Sequence, residues 1–190
     1  MRLMTHISFG LLAGALCYYL FNLDVSFILL TGFAAFLPDI DWAMQFKWGL
    51  GKRHRTFGHN VWFVLAIATL SLALSGSIVV FAGVLIGMVT HLLADSLTVT
   101  GVIWLYPIKQ NIHTKGPLNM SNESEKKVER VLQSILLSFA GFLFLAKNMR
   151  VEDPFSFNGT ITLVIIFGVG YAIMKKFNQI IKKTIRSFRI

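Results

Sequence analysis

"SIVVFAGVLIGMVTHLLADSL", residues 77–97, contains the two side chains that decide how the chain is read. Apart from His91 and Asp95 the stretch has no ionisable group, yet it is long enough to cross a bilayer core as a helix. An aspartate near the centre of such a helix costs roughly 2.5–3.5 kcal/mol on insertion. A residue that unfavourable in lipid marks a polar partner or a bound ion.

His91 and Asp95 stand four apart, so they share one helix face. Gly87 and Gly83 continue the stripe backwards, and glycines at that spacing let a neighbouring helix come close. The first apolar run repeats the scheme with His6, Gly10 and Gly14. Two helices thus each carry a glycine stripe that ends in a ligand-type residue.

The rest of the chain agrees with a membrane reading. It is 55% hydrophobic and 14% charged, with mean hydropathy +0.65, whereas a soluble domain is about a quarter charged. Apolar runs fall at about 7–22, 25–37, 60–75, 78–98, 131–147 and 159–174. They predict an all-α polytopic membrane protein of about six transmembrane helices, a single domain over residues 1–176. The tail, 177–190, interleaves Lys182, Lys183, Arg186 and Arg189 with Phe177, Ile180, Ile181, Thr184, Ile185 and Phe188, and Lys175 and Lys176 precede it. It predicts an amphipathic C-terminal helix lying on anionic lipid. Cys17 alone excludes a disulfide framework or a cysteine zinc cluster. Arg2 before an apolar run is signal-like, but no A-x-A-like cleavage site follows, so the segment is expected to be retained.

Charge distribution sets the expected orientation. With six spans, sixteen of the eighteen Lys and Arg fall on one side, and only Lys147 and Arg150 on the other. The positive-inside rule then makes both termini cytoplasmic. The net charge of +9 is explained by lipid surface, and nucleic acid is not an expected partner. Residues 99–130 are expected to form a polar loop whose end, "GPLNMSNESEKKVER" (116–130), reads as loop and helix start, with Glu129 on a solvated face in preference to serving as a further ligand.

The remaining polar motifs converge on the cytoplasmic side. "LPDID" (37–41) closes the second run, where Pro38 ends helical geometry and leaves Asp39 and Asp41 in the turn. "HRTFGHN" (54–60) opens the third run with His54 and His59. Six antiparallel spans bring His6, Asp39, Asp41, His54, His59, His91 and Asp95 to the ends of helices one to four. His113 is the one histidine outside these motifs. Each motif alone has an ordinary structural explanation: an interfacial histidine, a tight turn, a hydrogen-bonded pair. Jointly, at one membrane level, they favour a metal site. Imidazole and carboxylate ligands without thiolates suit zinc, with manganese or iron as alternatives, and one or two ions.

At these residues the sequence resembles a known family. "MTHISFG", "LPDIDW", "HRTFGHN" and "HLLADSLTVTGVIWLYP" together are similar to the YdjM-type family of inner-membrane proteins, for which metal-dependent hydrolysis is the expectation. The match covers about residues 1–107 and implies a multi-pass helical fold with those seven residues as its polar signature. Asn60 and Thr56 depart from the serine and glycine usual there. More remotely, the order of ligands resembles zinc-dependent phospholipases C and S1-type nucleases. That likeness implies Asp95 bridging two ions, with Asp39, His59 and His91 on one and His6 on the other.

The expected function is a membrane-embedded hydrolase that cleaves a phosphate ester of a membrane lipid at the cytoplasmic face of the inner membrane. His6, Asp39, His59, His91 and Asp95 are the expected metal ligands. Asp41 and His54 are candidate general acid/base groups, and Lys52, Arg53 and Arg55 would attract the phosphate. The alternative is a metal-ion transporter, or a metal-binding membrane protein without hydrolase activity. A conduit needs polar groups continuing across the bilayer, and the third, fifth and sixth runs are expected to offer almost none. A third reading is a metal-free polar cluster that holds helices together.

Overall fold

Several helix boundaries fall where the sequence supplies a cap or a breaker. A computed structural model describes residues 2–40, 58–119 and 123–148, with Gly168 and Ala172. The sixth apolar run (save those two residues), the basic tail, Asp41, Lys52, Arg53, His54 and Arg55 lie outside the described residues.

Helix α1 (Leu3–Phe21) ends on Asn22, which takes the left-handed conformation at φ 54° that asparagine tolerates. In the following turn the Ser26 backbone N–H donates to Asp24 Oδ1 at 2.8 Å. Those Ser26 hydrogen bonds hold the Asp24 carboxyl below its ordinary range. Helix α2 (Ser26–Ala34) passes into a 3-10 turn, Leu37–Asp39, at Pro38. Helix α3 (Val61–Ser75) begins at Asn60, whose side chain accepts from the Phe63 N–H at 2.9 Å. Asparagine there is a strong N-cap, so its departure from serine keeps the helix start. Gly76, at φ 65°, closes α3 and leads into α4 (Ile78–Ser96). Helix α5 runs from Glu123 to Asn148.

The molecule is therefore a mostly helical membrane protein. Among the described residues three helices are long and apolar enough to cross a bilayer: Leu3–Phe21, Ile78–Ser96 and Lys126–Asn148. Two shorter apolar helices, Ser26–Asp39 and Val61–Ser75, accompany them.

Helix α2 is short, and it sits between the two glycine stripes. A Cβ on Gly10 would meet the Thr31 carbonyl oxygen at 2.5 Å and the Ala35 Cβ at 2.6 Å. A Cβ on Gly87, from the other side, would run into that same Thr31 oxygen and the Ala34 Cβ. Both stripes thus approach one partner. Around this sandwich lie two apolar cores. One joins Ala34, Val64, Ala68, Val84, Met88, Leu92 and Val102; the other joins Ala15, Tyr18, Ile28, Ala140 and Leu143. Leu20, Phe21, Leu29, Phe33, Leu70 and Leu74 remain exposed, as lipid-facing side chains of spans do.

Three expectations are corrected or sharpened. The polar loop contains an antiparallel hairpin, β1 (Val102–Leu105) with β2 (Lys109–Thr114), pairing Val102 with Thr114 and Ile103 with His113. Just before β1, Gly101 takes φ 64° and lies against the Thr114 carbonyl at the open end of the hairpin, where a side chain would not fit. Secondly, α5 starts at Glu123, within the stretch 116–130 read as loop and helix start, and so opens about two turns before the apolar run at 131. Thirdly, α5 is not devoid of inward polar groups: Glu129, Gln133, Ser134 and Ser138 are all buried, as are Thr5 and Ser8 of α1. Glu129 is 1% exposed, so it lies inside and not on a solvated face.

At its far end α5 also finishes α1. Lys147 Nζ donates to the Tyr18 carbonyl at 2.6 Å and the Leu23 carbonyl at 3.2 Å, and lies 3.6 Å over the Tyr18 ring centroid. Asn148 donates to the Tyr18 hydroxyl at 2.8 Å.

Candidate metal centre

Alternating helix directions bring four chain segments to one end of the bundle. His6 lies in the second turn of α1, Asp39 at the close of the 3-10 turn, His59 just before the Asn60 cap, and His91 and Asp95 in the last turns of α4. All five side chains meet there. His6, His59, His91 and Asp95 are sealed at 1% exposure or less, while the Asp39 side chain is 22% exposed. The cluster therefore opens on the Asp39 side.

His91 is fixed by a hydrogen bond to α2. Its Nδ1 lies 2.7 Å from the Ala35 carbonyl oxygen. A carbonyl only accepts, so Nδ1 carries the proton and Nε2 presents a lone pair to the cluster. This is the outer hydrogen bond that orients a ligating imidazole. Nε2 of His91 is 3.0 Å from His59 Nε2, 3.7 Å from Asp39 Oδ1 and 3.8 Å from Asp95 Oδ2. His59 Nε2 is 3.5 Å from Asp39 Oδ1 and 3.5 Å from Asp95 Oδ2. Donors bound tetrahedrally at about 2.0–2.2 Å stand about 3.3–3.6 Å from one another. Most of the spacings fall within or close to that window.

His6 approaches from the other side of Asp95. Its Nε2 is 3.4 Å from Asp95 Oδ1, and its ring stacks on His91 with centroids 3.8 Å apart. His6 Nδ1 is buried with no hydrogen-bond partner among the described residues. The two Asp95 oxygens thus face different histidines. Two trios have donor atoms within 4.8 Å of one another: His6, Asp39 and His91; and His59, His91 and Asp95. They share one His91 lone pair, so the two trios cannot each hold an ion of its own at the same time.

The residues present fit a divalent cation. The buried Asp95 and the partly exposed Asp39, faced by the His91 Nε2 lone pair, place negative charge in a low-dielectric site, which a cation offsets. The donor set is nitrogen and oxygen, with Cys17 on a different part of α1.

The other candidates divide simply. Asp41, His54, Lys52, Arg53 and Arg55 lie outside the described residues. His113 is on the hairpin, exposed, with Nε2 2.8 Å from the Thr100 carbonyl, and takes no part. Glu129 is the buried acid that sequence spacing passed over. It lies beneath the first turn of α1, where Oε1 accepts from the Arg2 backbone N–H at 2.7 Å and the Thr5 hydroxyl at 2.6 Å. The Glu129–Gln133 spacing of four is the signal that marks this inward face.

The chain is 29% identical over 161 residues to "Uncharacterized protein YvsG" of Bacillus subtilis (strain 168), covering 77% of this chain and 97% of that protein. No solved structure matches it. The family model described as "YdjM inner membrane protein" matches residues 1–178, nearly the whole length and well past the four motifs. The chain belongs to the YdjM inner membrane protein family.

Proposed function

We propose that the chain is a metal-dependent hydrolase that cleaves a phosphate ester of a membrane lipid at the cytoplasmic face. The observation that carries this reading is the His/Asp cluster at helix ends, buried except at Asp39, with His91 Nε2 turned toward His59, Asp39 and Asp95. His59 and His91 with oxygens of Asp39 and Asp95 would hold one divalent ion, most naturally zinc. His6 with the other Asp95 oxygen would contribute to a second. When bound, such an ion supplies a Lewis acid for a phosphoryl oxygen and for the attacking water.

The chain's own residues do the rest. Asp39 stands at the open side, where a headgroup can arrive without leaving the bilayer. Water adds to phosphorus, and the ester oxygen leaves as an alcohol once it has gained a proton. Asp41 or His54, two and five residues from Asp39 and His59 in the sequence, would move those protons. Lys52, Arg53 and Arg55 would draw the phosphate to the site.

One observation favours the transporter alternative. Thr5, Ser8, Glu129, Gln133, Ser134 and Ser138 form a buried polar strip along α1 and α5. Beyond Ser138 the buried residues of α5 are Ala140, Phe142, Leu143 and Ala146, so the strip stops partway and a one-sided site remains the better reading.

The test is elemental analysis of the purified protein, joined to phosphate-release assays over lipid classes and a water-soluble phosphodiester. About one or two metal ions per chain and chelator-sensitive hydrolysis are expected. Metal without hydrolysis of any ester would favour the binding or transport reading; no metal would overturn both.

A further inference from the structure

Of the five clustered side chains, His6 alone comes from α1; the others belong to α2, α3, α4 and their flanking turns. His91 is oriented by the Ala35 carbonyl, but His6 has no comparable support, because its Nδ1 has no hydrogen-bond partner among the described residues. Its place therefore depends on where the backbone of that turn is held.

That backbone is gripped from α5. Arg2, the residue before α1, and Thr5, the residue before His6, both donate to Glu129 Oε1. Arg2 Nε lies 3.4 Å from Glu129 Oε2, and Gln133 Nε2 donates to Thr5 Oγ1 at 2.6 Å. No side chain of the α1 N-terminus caps it, and the first N–H groups of a helix need acceptors. A carboxylate from another helix supplies one, at the end where the helix dipole favours negative charge. Thr5 and His6 are consecutive, so they point about 100° apart around the helix. Holding Thr5 against α5 aims His6 at α4.

We propose that Glu129 is a positioning residue that acts through Arg2 and Thr5 to set His6 against Asp95, and so to complete the part of the metal site that α1 provides. This rests on the metal-site reading above.

The experiment is zinc titration of the full chain in detergent against a chromophoric chelator, with thermal unfolding measured in parallel. Wild type, Glu129→Ala, Glu129→Gln, His6→Ala and the double variant Glu129→Ala/His6→Ala are compared. Glu129→Ala should weaken the His6-dependent zinc binding about ten- to a hundredfold, as loss of an outer support does. The double variant should bind no worse than His6→Ala alone, because Glu129 acts through His6. Glu129→Gln should stay within a few-fold of wild type, since its amide oxygen accepts the same two hydrogen bonds. Additive losses in the double variant, or a stability loss without a zinc effect, would overturn the proposal. So would a Glu129→Gln variant as impaired as Glu129→Ala, since Glu129 would then act by its charge. If Glu129→Ala does not fold, Thr5→Val replaces it in the same cycle with the same expectation and a smaller effect. Wild type that binds no zinc would overturn the metal-site reading itself, a result distinct from failure in the variants alone.

Discussion

Asp95 directs one oxygen at His6 and the other at His59 and His91, so it links the two halves of the cluster. Asp95→Asn keeps the size and removes the charge that offsets a buried cation. Metal affinity should fall by at least tenfold, with hydrolysis lost alongside. The fold should persist, because the substituted helix inserts more readily than the original. Bound metal per chain and unfolding in chelator, compared with wild type, check both halves; full occupancy with unchanged hydrolysis would remove Asp95 from the ligand set. The five clustered residues were legible because each is an ionisable group in an apolar run or at its end, where it has little reason to be. Glu129 was not, because it lies in "ESEKKVER", where acid and base are common and one buried member leaves no mark in composition.

The helix stripes were legible as well, and their partner was not. Glycines four apart announce a close approach, but only the packing reveals that α1 and α4 close on the same Thr31 carbonyl. Gly87→Ala should therefore push α2 outward and pull the Ala35 carbonyl away from His91 Nδ1. The expected cost is about 1–3 kcal/mol, the range for overpacking, with weakened metal binding. Gly83→Ala meets only the Leu30 side chain at 2.6 Å and Phe27 beyond it, a softer obstacle. It should cost less and leave the metal in place. Gly76→Ala has open space around it but a φ of 65°, so it should lose about 1 kcal/mol through strain alone. Unfolding midpoints and metal content of the three variants give the ranking. The hairpin escaped the sequence reading because its strands are four and six residues long and carry polar groups. Apolar run length does not detect such pairing.

For the whole molecule, the five-residue cluster defines one end, and the turn at Gly76 and Ser77 defines the other. Asp95 lies eighteen residues along α4 from Ser77, about 27 Å at 1.5 Å per residue. By the positive-inside rule, the asymmetry of basic residues leads us to propose that the cluster end is cytoplasmic. In a background with Cys17 replaced, cysteines introduced at Ser77 and Ser156 should be labelled by impermeant reagent from outside only. Labelling of Ser77 from the cytoplasmic side would invert the orientation and move the proposed chemistry to the opposite face.

The grip of α5 on both ends of α1 has a consequence in time. An acid meets the start of α1 at Arg2 and Thr5, and a base meets its finish at Tyr18 and Leu23. All five clustered side chains are part of the chain once residue 95 is made, yet the first of them is not anchored until residues 129–147 follow. During synthesis there is an interval in which the ligands are present and the centre is unfinished. Its completion is thus coupled to arrival of the fifth helix, and a chain interrupted earlier would carry the histidines without their fixed arrangement.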